Sequence, residues 1–103
     1  MRKTYHKLVR DRIPEIIREP GKACEVITLA AEEFQQALRR KLVEEAQEVV
    51  GASGEELVVE LADVYEILDV LMSAVGISEG QVRHVQAKRR AERGGFEQYL
   101  KLL

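Results

Sequence analysis

Apolar side chains recur at helical spacing through most of the chain. Between residues 31 and 50, Phe34, Leu38, Leu42 and Val49 follow at intervals of four, four and seven, which aligns them on one face of a helix. Gly51-Ala52-Ser53-Gly54 interrupts the pattern. It resumes over residues 55 to 75, with Leu57, Leu61, Val64, Leu68, Leu71 and Val75 on one stripe. Val58, Val59, Ile67 and Val70 fall outside that stripe, so the second helix is apolar around much of its circumference, as a helix central to a bundle would be. A linker of four residues makes the two helices antiparallel neighbours.

The punctuation between these segments predicts the remaining elements. Ser53 with Glu56, and Ser78 with Gln81, have the spacing of capping boxes, and the second opens a third long helix over residues 79 to 93 that Gly94-Gly95 ends. Nearer the start, Pro14 suits the first turn of a short helix over residues 14 to 19, closed by Pro20-Gly21. Val26, Ile27 and Thr28 favour an extended backbone, but one short strand has no partner, so residues 23 to 29 are read as a structured loop. Phe96, Tyr99, Leu100 and Leu102 form an amphipathic tail expected to dock on the bundle. The expectation is an all-α helical bundle in a single domain over residues 1–103. At this length, covering both sides of the second helix calls for dimerisation.

Composition narrows the function. With 46% apolar and 33% charged residues, the chain has the balance of a soluble globular protein. No secretory pattern precedes Arg2-Lys3-Thr4, the lone Cys24 has no internal partner, and no apolar run is long enough to span a bilayer. These features predict a cytoplasmic protein without a membrane partner. The net charge of -2 offers no global attraction to a nucleic acid polymer, so a polyanionic ligand would need a local cluster of bases. Lys7, Arg10 and Arg12 near the start, and Lys88, Arg89 and Arg93 on the last helix, are the candidates for binding phosphate. His6 and His84 read as surface residues, and Tyr5 or Phe34 is available to stack on a base.

The acids of the two long helices carry the sharpest chemical signal. Turning about 100° per residue from Leu42, Glu45 falls between Leu38 and Phe34, inside the apolar stripe. Glu48 falls at its edge beside Lys41, and Glu44 lands on the opposite, solvent side. On the second helix Glu60 lies beside Leu71 and Ile67, and Asp63 beside Ala74 and Val70. Each pair is spaced i, i+3, so its carboxylates emerge from one face about one turn apart. Four carboxylates facing one another would cost several kcal/mol each in desolvation and repulsion unless a cation held them. Oxygen-only ligands without His or Cys suit a hard divalent ion, Mg²⁺ first and Mn²⁺ as a substitute. Magnesium at such a site commonly bridges protein carboxylates to substrate phosphates.

The run Lys41-Leu42-Val43-Glu44-Glu45-Ala46-Gln47-Glu48, followed by Glu60-Leu61-Ala62-Asp63, resembles the paired acidic signature of the all-α nucleotide pyrophosphatases, the MazG-like superfamily. Lys7-Leu8-Val9-Arg10-Asp11-Arg12-Ile13-Pro14 and Arg93-Gly94-Gly95-Phe96 look like the two ends of a compact subgroup, so the resemblance spans nearly the whole chain. It implies a MazG-like bundle and Mg²⁺-dependent cleavage of a nucleoside triphosphate between its α and β phosphates, giving a monophosphate and pyrophosphate. It also implies a homodimer or dimer of dimers with the site near the subunit boundary. By the same resemblance Glu45, Glu48, Glu60 and Asp63 match the metal ligands, Lys41 matches a basic residue preceding them, and Glu44 matches an acid of less direct role. Glu45, Glu48 and Lys41 are then the catalytic candidates, with Glu48 or Glu45 as general base.

Two other readings compete. A phosphoribosyl-ATP pyrophosphohydrolase would share fold, metal and bond cleaved, but its aspartate usually runs into Tyr-His, whereas Asp63 is followed by Val64-Tyr65-Glu66. A non-catalytic oligomerisation or binding module would use the same broad apolar face over residues 57 to 75. Against that module stand the acids, set where such an interface favours Leu.

Overall fold

The computed structural model describes residues 7–103. Tyr5 and His6 lie outside the described residues. Four helices follow one another, α1 (Ile13–Arg18), α2 (Ala31–Val50), α3 (Gly54–Val75) and α4 (Glu79–Arg93), and the described residues contain no strand. The architecture is all-α, and no helix among the described residues is long and apolar enough to cross a membrane.

Local chemistry accounts for the helix ends. Pro14 occupies the first turn of α1, where its missing N–H costs nothing. The loop after α1 is irregular, and Arg18 folds back to donate a hydrogen bond to the Cys24 carbonyl at 2.7 Å. α2 starts with Glu32 and Glu33 in its first turn, where carboxylates favour the positive end of the helix dipole. α3 ends in a Schellman turn. Gly76 takes φ +72°, and the Ile77 N–H reaches the Met72 carbonyl at 2.9 Å.

The two expected capping boxes differ. At Ser78 both halves form, with Gln81 N–H donating to Ser78 Oγ at 3.1 Å and Ser78 N–H donating to Gln81 Oε1 at 2.8 Å. Ser53 occupies the N-cap position of α3 but makes no side-chain cap bond. Gly54 begins that helix at φ +58°, a left-handed start that reorients the first turn away from the Ser53 hydroxyl.

Among the described residues, α2 and α3 are the helices that pack on each other extensively. Gln35 near the start of α2 donates to the Ala74 carbonyl near the end of α3 at 3.2 Å, so the helices run antiparallel along their whole length. Leu38 is the one fully buried side chain among the described residues, at 2% exposure. The α3 face bearing Val58, Val59, Leu61, Tyr65 and Leu68 stays open. The tail does not dock as the sequence suggested, because Phe96, Tyr99, Leu100 and Leu102 stand almost fully exposed. The tail lies against none of the apolar surface the described residues leave open, neither the α3 face nor the recess lined by Ile77, Val82 and Val85. The radius of gyration, 17.7 Å, exceeds the roughly 13 Å of a compact domain this long.

Candidate metal centre

Glu45 lies as far before the α2–α3 turn as Glu60 lies after it, and antiparallel packing therefore brings them level. Carboxylate oxygens of Glu45, Glu60 and Asp63 come within 4.8 Å of one another. All three side chains are half-buried, Glu45 at 13% exposure and Asp63 at 31%. Octahedral Mg²⁺, with oxygens at about 2.1 Å, holds its ligands about 3 to 4 Å apart. Small side-chain rotations would bring the trio onto such an ion, and the all-oxygen donor set fits it.

Glu48 is exposed and stands outside this trio, at the rim. Its charge still reaches the centre. Desolvation raises the Glu60 carboxyl above its ordinary range, and the like charges of Asp63, Glu45, Glu48 and Glu56 push it further the same way. Glu60 has no cationic partner among the described residues, which leaves that repulsion uncompensated.

The neighbouring acids do have partners. Lys41 Nζ lies 3.6 Å from Glu45 Oε1 and 3.6 Å from Glu44 Oε1. Arg10 Nη2 donates to Asp63 Oδ1 at 2.6 Å, and Lys7 Nζ sits 3.1 Å from Glu44 Oε1. Glu44 is thus not the solvent-facing acid that the helical wheel indicates. A wheel counts only the residues of its own helix, whereas here the N-terminal segment crosses over α2 and covers Glu44 with Lys7. The Lys7 hydrogen bond is the main reason the Glu44 carboxyl is held below its ordinary range, with the charges of Lys41 and Lys7 adding to it against a desolvation penalty.

The candidate phosphate-binding bases separate into two groups. Lys7 and Arg10 border the acids. Arg12 instead pairs with Glu15 one turn away at 2.8 Å, and Lys88 lies 4.0 Å from Glu92 on its own helix. Neither Lys88 nor Arg93 pairs with an acid of the cluster among the described residues. Phe34 is no neighbour of the trio either, lying eleven residues before Glu45, about 16 Å along the α2 axis. Arg40 is a base the sequence reading passed over. With Lys7, Leu8, Ala37, Lys41 and Glu44 it lines a recess of about 80 Å³. Only its place one residue before Lys41 could have drawn attention to it.

No family model matches the chain, and no solved structure matches it significantly. A relative in Mycolicibacterium smegmatis, described as an uncharacterized protein, is 48% identical over 46 residues. That match covers 45% of this chain and 47% of the relative, so the shared stretch is about half of each protein.

Proposed function

We propose that this protein is a Mg²⁺-dependent nucleoside triphosphate pyrophosphohydrolase of MazG-like type, releasing a nucleoside monophosphate and pyrophosphate. The observation that carries this reading is the convergence of Glu45, Glu60 and Asp63 from two helices to within 4.8 Å, with Arg10 and Lys41 against them. Three carboxylates at a half-buried seam, of which Glu60 lacks a cationic partner among the described residues, repel one another, and a divalent cation would relieve them. The residues that would hold it are Glu45, Glu60 and Asp63, with Glu48 closing from the rim. Bound there, Mg²⁺ supplies positive charge to the phosphate oxygens and acidifies a water.

The protein's own side chains supply the rest. Glu48, exposed at the rim, or its neighbour Glu45 would accept a proton from the attacking water. Lys41 holds Glu45 in position, and Lys7, Arg10 and Arg40 offer positive charge that binds the phosphates of the triphosphate. Lys88 and Arg93 join this set from a second copy. The bare face of α3 and the exposed α4 and tail favour a homodimer, in which the basic arm of one chain lies along the acidic hairpin of the other.

The test is incubation of the purified protein with a panel of nucleoside triphosphates and with phosphoribosyl-ATP, with and without Mg²⁺. Monophosphate and pyrophosphate in equal amounts, only with the metal, are expected. Turnover confined to phosphoribosyl-ATP moves the protein to the histidine-pathway enzyme. Absence of any turnover sinks the enzyme reading and leaves the bare apolar faces to a non-catalytic oligomerisation module.

A further inference from the structure

The N-terminal segment spans both helices of the hairpin. Lys7 reaches Glu44 on α2, and three residues later Arg10 reaches Asp63 on α3, a partner 53 positions away in sequence. Residues 7–12 thus lie as a strap beside the acid trio, ending where α1 begins at Ile13. Both attachments are single ion pairs of exposed bases, with Lys7 54% and Arg10 61% exposed. Pairs of this kind are individually weak.

The strap neutralises the cluster incompletely. Arg10 satisfies Asp63, and Lys41 lies against Glu45, but nothing cationic among the described residues meets Glu60. Arg10 reaches Asp63 alone of the three, so it leaves Glu45 and Glu60 ungathered. A divalent cation can draw on all three, and it needs the same Asp63 carboxylate that Arg10 holds.

We propose that Arg10 is a resident counter-ion that a divalent cation displaces from Asp63, and that the displacement loosens residues 7–12 and turns Arg10 toward the phosphates of the nucleotide. This rests on the metal-centre reading above. Arg10 is then a positioning residue with two opposed effects: it competes with the metal before binding and assists the triphosphate afterwards.

The experiment compares the full chain with its Arg10→Ala and Arg10→Gln variants in three measurements. Mn²⁺ alone is titrated and followed by electron paramagnetic resonance, cleavage by trypsin after Lys7 is timed with and without Mg²⁺, and KM and kcat for the triphosphate are determined. Both variants are expected to bind Mn²⁺ about two- to five-fold more tightly, the factor set by losing one exposed ion pair. Magnesium is expected to speed cleavage after Lys7 in the wild type and to leave it unchanged, and already fast, in the variants. KM for the triphosphate should rise in both variants with kcat little altered. Equal or weaker Mn²⁺ binding by the variants overturns the role of Arg10, as does wild-type cleavage that ignores the metal, or an unchanged KM. Absence of Mn²⁺ binding in all three proteins overturns the metal-centre reading together with this proposal, and so is distinguishable from a failure of Arg10 alone.

Discussion

The α2–α3 hairpin is richer in apolar sequence than the arm that follows it, and the two end in opposite states. The hairpin encloses Leu38 completely and half-buries three carboxylates. From Gly76 onward every side chain is exposed, including Val82 and Val85 of α4 and the aromatic tail. Charge divides the same way. α3 carries Glu55, Glu56, Glu60, Asp63, Glu66 and Asp69 and no base, whereas α4 sets Arg83, Lys88, Arg89, Arg90 and Arg93 against Glu79 and Glu92. α3 concentrates negative charge, with Glu60 and Asp63 half-buried and its other four acids exposed, and the arm presents positive and apolar surface for something to cover. Under the proposed function these halves are complementary between two copies.

The largest effects should come from the hairpin's acids. Replacing a metal ligand costs more than disturbing an outer partner, which itself typically costs 10- to 100-fold. Glu45→Gln and Asp63→Asn are therefore expected to lower Mg²⁺-dependent kcat/KM by at least about 100-fold. Glu48→Gln should follow them closely, while Glu44→Gln loses much less because Glu44 engages Lys7 and Lys41 rather than the trio. Lys88→Ala and Arg93→Ala should mainly raise KM. Steady-state kinetics on the six variants, with circular dichroism to verify folding, checks the ranking. Equal losses at Glu44 and Glu48 would erase the distinction between the centre and its surroundings.

Stability should divide along the same boundary. Leu38→Ala removes a fully enclosed side chain, and such truncations cost about 2–5 kcal/mol. Val85→Ala on the open face of α4 should cost under about 0.5 kcal/mol in dilute protein. Urea denaturation monitored by helicity measures both. At higher concentration the arm is expected to matter, with Phe96→Asp and Val85→Asp shifting the mass in sedimentation from dimer toward monomer without loss of helix. An unchanged mass would leave the arm's apolar residues without the proposed occupant.

The sequence made the hairpin more legible than the arm, for a physical reason. Periodicity reports which side of a helix avoids water, and it delimits α2 and α4 at their observed ends because glycines and a capping serine lie just beyond the periodic stretches. The same wheel geometry places Glu45, Glu60 and Asp63 on facing sides, where they meet. What periodicity omits is the identity of the covering surface. The tail is amphipathic, which shows that it needs a partner but not that its own chain provides one. Glu44 fails for the same reason in reverse, since its cover comes from Lys7, thirty-seven residues earlier in an irregular segment that no period describes. The Ser53 box fails locally, because two residues at the right spacing cannot form it when Gly54 starts the helix with a positive φ.

The smallest effect expected is also the one that separates two acids of the hairpin most finely. Glu44 and Glu60 are both half-buried, yet cations lower the first carboxyl while desolvation and like charges raise the second. A carboxyl whose folded pKa is lowered binds protons more weakly folded than unfolded. Its contribution to stability is full above the unfolded value, near the ordinary 4.5, and is lost as pH falls through the lowered folded value. For a raised carboxyl the sign reverses: the folded form is penalised at neutral pH, and the penalty disappears as acid protonates it. Glu44→Gln should therefore destabilise the metal-free protein slightly at pH 7, by less than about 1 kcal/mol for a partly exposed pair. That deficit should vanish as the pH falls through the lowered folded value. Glu60→Gln should raise the metal-free Tm at pH 7 while removing a metal ligand, so that added Mg²⁺ stabilises the wild type but not the variant. Thermal melts of the wild type and both variants from pH 7 to pH 3, with and without Mg²⁺, test the pair. If Glu60→Gln lowers the metal-free Tm at pH 7, then Glu60 is a stabilising structural acid, and the strained, cation-seeking cluster loses the member on which its chemistry most depends.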